Sequence, residues 1–143
     1  MNYVVGLLVT LGVLIVIHEW GHYRVAVACG VKVLRFSVGF GRVLWRWRRR
    51  ADGTEFVVCA LPLGGYVRML DEREAPVEAS ERHRAFNRQS LARRSAIVAA
   101  GPLANLALAV VLFAAASWAG VQEPKAVFGA PVAGSIAERA GLR

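Results

Sequence analysis

The sequence predicts a mainly helical membrane protein, with two transmembrane helices joined by a cytoplasmic β-meander that associates with the membrane. Three observations lead to this fold class. Of the 143 residues 56% are hydrophobic, two long stretches are almost free of charge, and 14 of the 18 basic residues lie between them. The length excludes a large multidomain soluble enzyme, and two cysteines without a CxxC spacing exclude a disulfide-dense secreted scaffold.

The first transmembrane helix is expected within residues 1–29. Its apolar run, 3–17, is short for a hydrocarbon layer of ~30 Å, but helix-compatible residues continue to Ala28, and Gly30 is a stop signal. A cleaved signal peptide is the alternative for this segment. It is disfavoured because no basic residue precedes the apolar run and because ionisable residues interrupt the later half.

The second transmembrane helix is expected over residues 95–122, none of which is charged. This run exceeds the roughly 20 residues that a helix needs to cross a bilayer. Within it, Pro102 removes a backbone donor, while Gly101 and Ala104 permit close approach of another helix. Asn105 is then either a ligand-binding amide or an interhelical hydrogen-bonding group, and the residues alone leave both open.

The loop between the helices, 30–94, is expected in the cytoplasm because loops rich in Lys and Arg stay on that side of a membrane. The N-terminus and the residues after 122 then face the opposite side. Orientation accounts for the net charge of +8, so no nucleic-acid partner is expected. Within the loop, we expect residues 71–84 to be irregular and residues 85–94 to form a basic juxtamembrane helix.

The meander is predicted from apolar, β-branched stretches separated by turn residues. Gly39-Phe40-Gly41 and Asp52-Gly53 have the composition of turns. Alternation along residues 45–48 places two tryptophans on one face, as in a sheet on lipid, although a solvated hairpin is equally compatible. The three predicted strands cover residues 31–38, 42–47 and 54–61.

Residues 18–22 read His-Glu-Trp-Gly-His and fit the H-E-x-x-H pattern. On a helix, His18 and His22 lie one turn apart on the same face, where both imidazoles can bind one tetrahedral Zn²⁺. Glu19 is then placed to take a proton from water whose pKa the metal lowers from ~15.7 towards ~7. About 22 Å of helix at ~1.5 Å per residue separates Tyr3 from His18, so the site is expected inside the membrane towards its cytoplasmic side.

Four runs in this order resemble motifs of the bacterial site-2 proteases, in particular the regulator-of-sigma-E protease branch. They are residues 18–22, 36–41, 61–67 and 100–105, and together they span nearly the whole chain. The resemblance implies a multi-pass zinc intramembrane endopeptidase of the bacterial inner membrane. Its action would be regulated intramembrane proteolysis, the cutting of single-span membrane proteins such as anti-sigma factors.

The resemblance also assigns roles to individual residues. The looped sheet would associate with the lipid bilayer and seat the unwound substrate as an added strand, which fits the need for an extended peptide before attack. The bilayer and single-span substrates are therefore the expected partners. The implied site consists of the zinc ligands His18 and His22, the catalytic base Glu19 and the substrate-binding residues Asn105, Gly64 and Gly65.

The end of the chain adds one further resemblance and one departure. Residues 132–142 look like part of a PDZ domain, so 123–143 are expected to be the start of an incomplete PDZ-like domain. The resemblance implies an Asp on a later span as third zinc ligand, whereas the only aspartates here, Asp52 and Asp71, lie in the loop. Because catalytic zinc takes three protein ligands, we expect this chain to be the N-terminal piece of a longer protein and to be inactive alone.

Two non-enzymatic functions are the alternatives. The histidine pair could bind haem or another metal in a membrane module that recruits partners through its C-terminal segment, or form a hydrogen-bonded patch between helices. Trp45, Trp47 and the arginine cluster could instead form a lipid-surface adaptor. An ionisable group within a span is costly unless it is paired, which favours a functional site over a purely structural patch.

Overall fold

The computed structural model describes residues 2–120, 133 and 135–141. Its contacts divide the chain into two compact units, Met1–Leu112 and Phe113–Arg143. The elements in chain order are α1 (Asn2–Ala28), β1 (Val33–Arg48), β2 (Glu55–Met69), two single turns of 3₁₀ helix (Arg82–Arg84 and Phe86–Arg88), α2 (Leu91–Ala119) and α3 (Ile136–Arg139).

Helix α1 ends where the sequence predicts. Gly30 follows it in the left-handed region with φ +80°, which glycine adopts without steric cost. The Gly30 N–H donates to the Val27 carbonyl at 3.0 Å, and the Val31 N–H donates to the Ala26 carbonyl at 2.9 Å. These two bonds form a Schellman motif, which satisfies carbonyls that the helix end would leave unpaired.

Helix α2 differs from its predicted bounds at both ends. It begins at Leu91 rather than 95, after Ser90, whose hydroxyl accepts the Arg93 N–H at 3.4 Å. It ends at Ala119, and Gly120 follows with φ +80°. Both α1 and α2 are long and apolar enough to cross a membrane, with mean hydropathies of 2.0 and 2.2 over their apolar windows.

The prediction of a juxtamembrane helix over 85–94 is wrong for its first part, because the helix begins only at Leu91. Ala85 is extended, with φ −73° and ψ 140°, and it separates the two 3₁₀ turns. The Gln89 side-chain amide donates to the carbonyls of His83 and Ala85, at 2.9 and 3.2 Å, so a side chain occupies acceptors that a continuous helix would use. The preceding region, 71–84, is irregular as predicted, apart from the first of these turns.

The sheet contains two long antiparallel strands rather than the predicted three. The stretches 31–38 and 42–47 fall largely within β1, and Gly39-Phe40-Gly41 lies inside that strand at a series of register shifts. Gly39 and Gly41 have φ of +85° and +84°, so the composition that predicted a turn instead allows the strand to bend. The turn predicted at Asp52-Gly53 is confirmed between the strands.

The register shows that the first half of β1 pairs with two different parts of β2. Phe36 has both Val67 and Phe56 as partners, and the residues up to Val38 are paired on both sides in the same way. The first half of β1 therefore lies between the two halves of β2. The end of β2, residues 65–69, has β1 on one side and no strand on the other within the described residues.

An aromatic cluster packs α1 against this sheet. Tyr23 is fully buried, and its ring centroid lies 5.9 Å from Phe36 and 5.4 Å from Phe56. The two helices also meet closely, since a Cβ on Gly21 would lie 2.5 Å from the Ala100 carbonyl oxygen. Backbone contact at a small residue is the usual way for membrane helices to pack. It brings α2 against the face of α1 that carries the histidines.

The predicted PDZ-like segment lies mostly outside the described residues. Within the second unit the structure describes the end of α2 and the short helix α3, whose Ile136 is 85% exposed. A start of a PDZ-like domain over 123–143 therefore stays a prediction.

Candidate active site

The two histidines of α1 converge as a pair of metal ligands should. Their Nε2 atoms are 3.1 Å apart. Two imidazole nitrogens at about 2.0–2.1 Å from a tetrahedral zinc would lie about 3.3 Å apart. The Nδ1 of His22 donates to the Ile97 carbonyl of α2 at 2.7 Å, which leaves its Nε2 lone pair for a metal. The pair therefore fits zinc in its spacing, and His22 fits it in its tautomer as well.

A third ligand is not among the residues that the structure describes, which contain no group of three or more His, Cys, Asp or Glu able to hold a metal. Asp52 and Asp71 are engaged elsewhere. Asp52 accepts a hydrogen bond from the Tyr23 hydroxyl at 2.8 Å, and Asp71 accepts two hydrogen bonds from the Arg73 guanidinium. Hydrogen bonds from Arg73 hold the pKa of the Asp71 carboxyl below its ordinary value despite partial burial, so it stays ionised in its ion pair.

The backbone of α2 closes one side of the histidine pair. A Cβ placed on Gly101 would lie 2.8 Å from the His18 Nε2 and closer still to the His22 Nε2. These two Nε2 atoms are the ones that would bind a metal. Only a residue without a side chain leaves that space open, which explains the glycine next to Pro102 more specifically than close helix packing does.

Glu19 lies where the sheet touches α1. It is half-buried, and a Cβ on Gly65 would lie 2.9 Å from its Cγ and 3.2 Å from the Ile15 Cγ2. The end of β2 therefore runs against the helix at the level of this carboxylate. Gly64, the other predicted substrate-binding glycine, has φ +143° and lies against the Phe40 ring.

Two cavities meet at Glu19 and Gly65, which line both. One, of about 400 Å³, extends from Glu19 along α1 towards Leu11. The other, of about 440 Å³, follows the free edge of β2 towards the charged loop. The first is lined by Leu11, Leu14, Ile15, His18, Glu19, Gly64, Gly65 and Asn105. The second is lined by Glu19, His22, residues 65–69, Asp71, Arg73, Glu74, Phe86, Ile97 and Val98.

Asn105 faces the first cavity from α2. Its Oδ1 is buried and has no hydrogen-bond partner within the described part of the chain. A buried amide oxygen without a partner costs free energy comparable to a lost hydrogen bond. The interhelical bond expected of a structural asparagine is thus not made by this atom, which is free to accept a bond from a ligand.

The structure brings together all six residues predicted for the site and adds two features. The Ile97 carbonyl fixes the His22 tautomer, and residues 65–69 form the strand edge beside Glu19. A backbone carbonyl has no sequence signal. The extra strand does have one, since residues 65–69 continue an apolar, β-prone run, but the proline and glycines before it masked that continuation.

Comparison with known proteins agrees with this geometry. The model of peptidase family M50 matches residues 6–137. The chain is 52% identical, over 98% of its length, to a protein of Ralstonia nicotianae assigned by name as a zinc metalloprotease, and 55% identical over 95% to one of Xylella fastidiosa. It is 50% identical over 94% to the regulator of sigma-E protease RseP of Escherichia coli.

The chain spans about a third of the length of these relatives, between 30% and 32%. The family match itself covers most of the chain and includes α1 from residue 6 onwards, the sheet, α2 and every residue of the candidate site. The H-E-x-x-H helix, the zinc-compatible histidine pair and this match lead to one conclusion: the chain belongs to peptidase family M50, a family of membrane metalloproteases.

Proposed function

We propose that the protein is a zinc-dependent intramembrane endopeptidase that cuts single-span membrane proteins, such as anti-sigma factors. The observation that carries this proposal is the position of Glu19. This carboxylate lies beside a zinc-compatible histidine pair and at the meeting point of two cavities that follow a free strand edge. A metal-binding or haem-binding module has no need of a carboxylate at the edge of an unpaired strand.

The free edge of β2 suits a substrate in extended conformation. A peptide added beside residues 65–69 would hydrogen-bond to unpaired backbone groups of that edge and pass directly over Glu19. Extension is needed because a helical peptide bond is shielded by its neighbours. Asn105 would accept a backbone N–H of the same peptide with its unpaired oxygen.

His18 and His22 would hold the zinc, together with a third ligand that is not among the residues the structure describes. When bound, zinc polarises the scissile carbonyl and makes attack by water possible near neutral pH. Glu19 accepts the proton of the attacking water and passes it to the leaving amine nitrogen. The first cavity presents the apolar side chains of Leu11, Leu14 and Ile15 next to this carboxylate.

Localisation and orientation belong to the same proposal. The two apolar helices and the family indicate a membrane protein. We place it in the bacterial inner membrane, with loop 30–94 in the cytoplasm and both the N-terminus and the residues after 122 in the periplasm, because basic residues concentrate in that loop. Because the residues that the structure describes supply no third zinc ligand, we expect the isolated 143-residue chain not to cleave substrate.

The test is the Glu19→Gln variant of the complete protein in lipid vesicles with a single-span substrate. Cleavage should fall by at least about 100-fold, the usual contribution of a general base, while zinc content measured by mass spectrometry stays equal to wild type. Glu78→Gln is the matched control, since Glu78 is exposed and lies in the irregular loop. Cleavage by Glu19→Gln at the wild-type rate would overturn the proposal in favour of a non-enzymatic metal-binding or partner-binding module.

A further inference from the structure

A second polar cluster ties the turn between the strands to α1, outside the candidate active site. The Tyr23 hydroxyl donates to the Asp52 Oδ2 at 2.8 Å and accepts a bond from the Arg49 Nη1 at 2.8 Å. The other oxygen of Asp52 accepts the Thr54 N–H at 3.1 Å, which holds the carboxylate in the turn. Tyr23 has no exposed surface, so these bonds are shielded from water at the hydroxyl's end.

This cluster occupies the same face of α1 as Glu19. Tyr23 follows Glu19 by four residues, one helical turn or about 6 Å along the axis. At Glu19 the helix meets Gly65, which belongs to the free edge of β2. The sheet is thus attached to α1 at two levels, by van der Waals contact at Glu19 and by directed hydrogen bonds at Tyr23.

The two kinds of contact differ in what they can fix. The rings of Trp20, Tyr23, Phe36 and Phe56 pack the sheet on the helix at centroid distances of 5.2–6.2 Å. Apolar packing is non-directional and still allows one surface to slide along the other. Hydrogen bonds weaken steeply when they are bent or stretched, so those of the Tyr23 hydroxyl resist such sliding.

Sliding would matter for the chemistry. A peptide paired with residues 65–69 moves with the sheet, and a strand advances ~3.3 Å per residue. A displacement of that size would bring the neighbouring peptide bond to Glu19. The pairing of Phe36 with both Phe56 and Val67 transmits any movement of the turn to the free edge.

We infer that Tyr23, Asp52 and Arg49 form a positioning clamp that sets the register of the sheet against the metal-binding helix, and thereby selects which peptide bond of the substrate is cut. This inference rests on the proposed peptidase function. The clamp residues touch neither metal nor substrate, and they act through the position of β2 relative to Glu19.

The main test is Tyr23→Phe in the complete protein, because this change keeps the buried ring and removes only the hydroxyl. Mass spectrometry of the products should show cleavage at one or two additional neighbouring bonds where wild type cuts at one. The KM for substrate should rise at least about fivefold, since one ordinary hydrogen bond corresponds to that factor and the hydroxyl makes two, with kcat within twofold of wild type and zinc content unchanged. Tyr3→Phe is the matched control, since Tyr3 is 93% exposed.

A second variant covers the case in which the helix residue tolerates no change. Arg49→Gln changes a residue next to the turn and leaves the sequence of α1 intact, and it should also broaden the cleavage pattern. Arg50→Gln, at the neighbouring exposed position, should not. In the double variant Tyr23→Phe/Arg49→Gln, the rise in KM should be smaller than the product of the rises in the two single variants. The reason is that both changes act on one hydrogen-bonded unit.

One readout is independent of catalysis. Hydrogen exchange in lipid nanodiscs should speed up at the amides of residues 49–54 in Tyr23→Phe and remain unchanged in Tyr3→Phe. If Tyr23→Phe and Arg49→Gln both cut at the wild-type bond with wild-type KM, the clamp inference is wrong although the peptidase proposal stands. If the wild-type protein cuts no substrate, or if Glu19→Gln cuts the same substrates equally well, the proposed peptidase function itself is wrong.

Discussion

A single backbone atom decides how His22 can act. Its Nδ1–H is bound to the Ile97 carbonyl of α2, so the ring presents Nε2 towards His18. A ring free to turn could present either nitrogen, and hydrogen bonding of the second nitrogen is how proteins usually orient metal-ligating histidines. The H-E-x-x-H spacing predicts the pair, but not the carbonyl that fixes it.

Gly101→Ala should weaken zinc binding strongly with little effect on the helix itself. The added methyl group would occupy the space in front of the His18 and His22 Nε2 atoms, while alanine is otherwise a better helix former than glycine. We expect at least a tenfold loss of zinc affinity, measured by metal titration of the complete protein. Gly12→Ala in α1 is the control because a Cβ there has no atom within 4 Å. Equal zinc affinity of the two variants would contradict this geometry.

At the scale of elements, β1 shows how a turn composition can serve a different purpose. Gly39 and Gly41 take positive φ within a continuous strand, at the shifts that let β1 pair with both halves of β2. Glycine is required there for its conformation, as it would be in a hairpin turn. Local composition therefore marks the bend, but the strand pairing around the bend depends on contacts with residues 55–69, far along the chain.

Gly39→Ala should destabilise the sheet more than Gly41→Ala. Both changes place a Cβ at positive φ, which costs roughly 1–2 kcal/mol. At Gly39 the Cβ would also lie 2.7 Å from the Leu61 carbonyl oxygen, whereas at Gly41 its nearest neighbour is a leucine methyl group at 3.6 Å. We expect a further loss of about 1 kcal/mol for Gly39→Ala, measured as the difference in unfolding free energy in detergent. Equal losses would show that the strand can shift away from Leu61.

At the scale of the whole molecule, charge distribution predicts orientation. The basic loop should be cytoplasmic, because its arginines would be costly to translocate. A Cys29→Ser background leaves Cys59, which is buried, as the only other cysteine. In that background, Arg50→Cys should react with a membrane-impermeant maleimide in inverted vesicles and not in intact spheroplasts. Tyr3→Cys should show the opposite pattern, and labelling of both from the same side would refute this topology.

The sequence by itself determined the two apolar helices, the histidine pair with Glu19, and the family, because these depend on local composition and on fixed spacing along a helix. It also located the turn at Asp52-Gly53 and the end of α1 at Gly30. These features involve residues within one or two helical turns of each other, so neighbouring side chains carry the whole signal.

Only the tertiary structure decided what surrounds these residues. It placed the end of β2 against Glu19, the bare backbone of Gly101 against the histidines, and the Tyr23 hydroxyl against the turn at Asp52. Each of these contacts joins residues about 30 to 80 positions apart. Their formation depends on how helices and sheet pack as units, and a sequence pattern read over a short window contains no information about that packing.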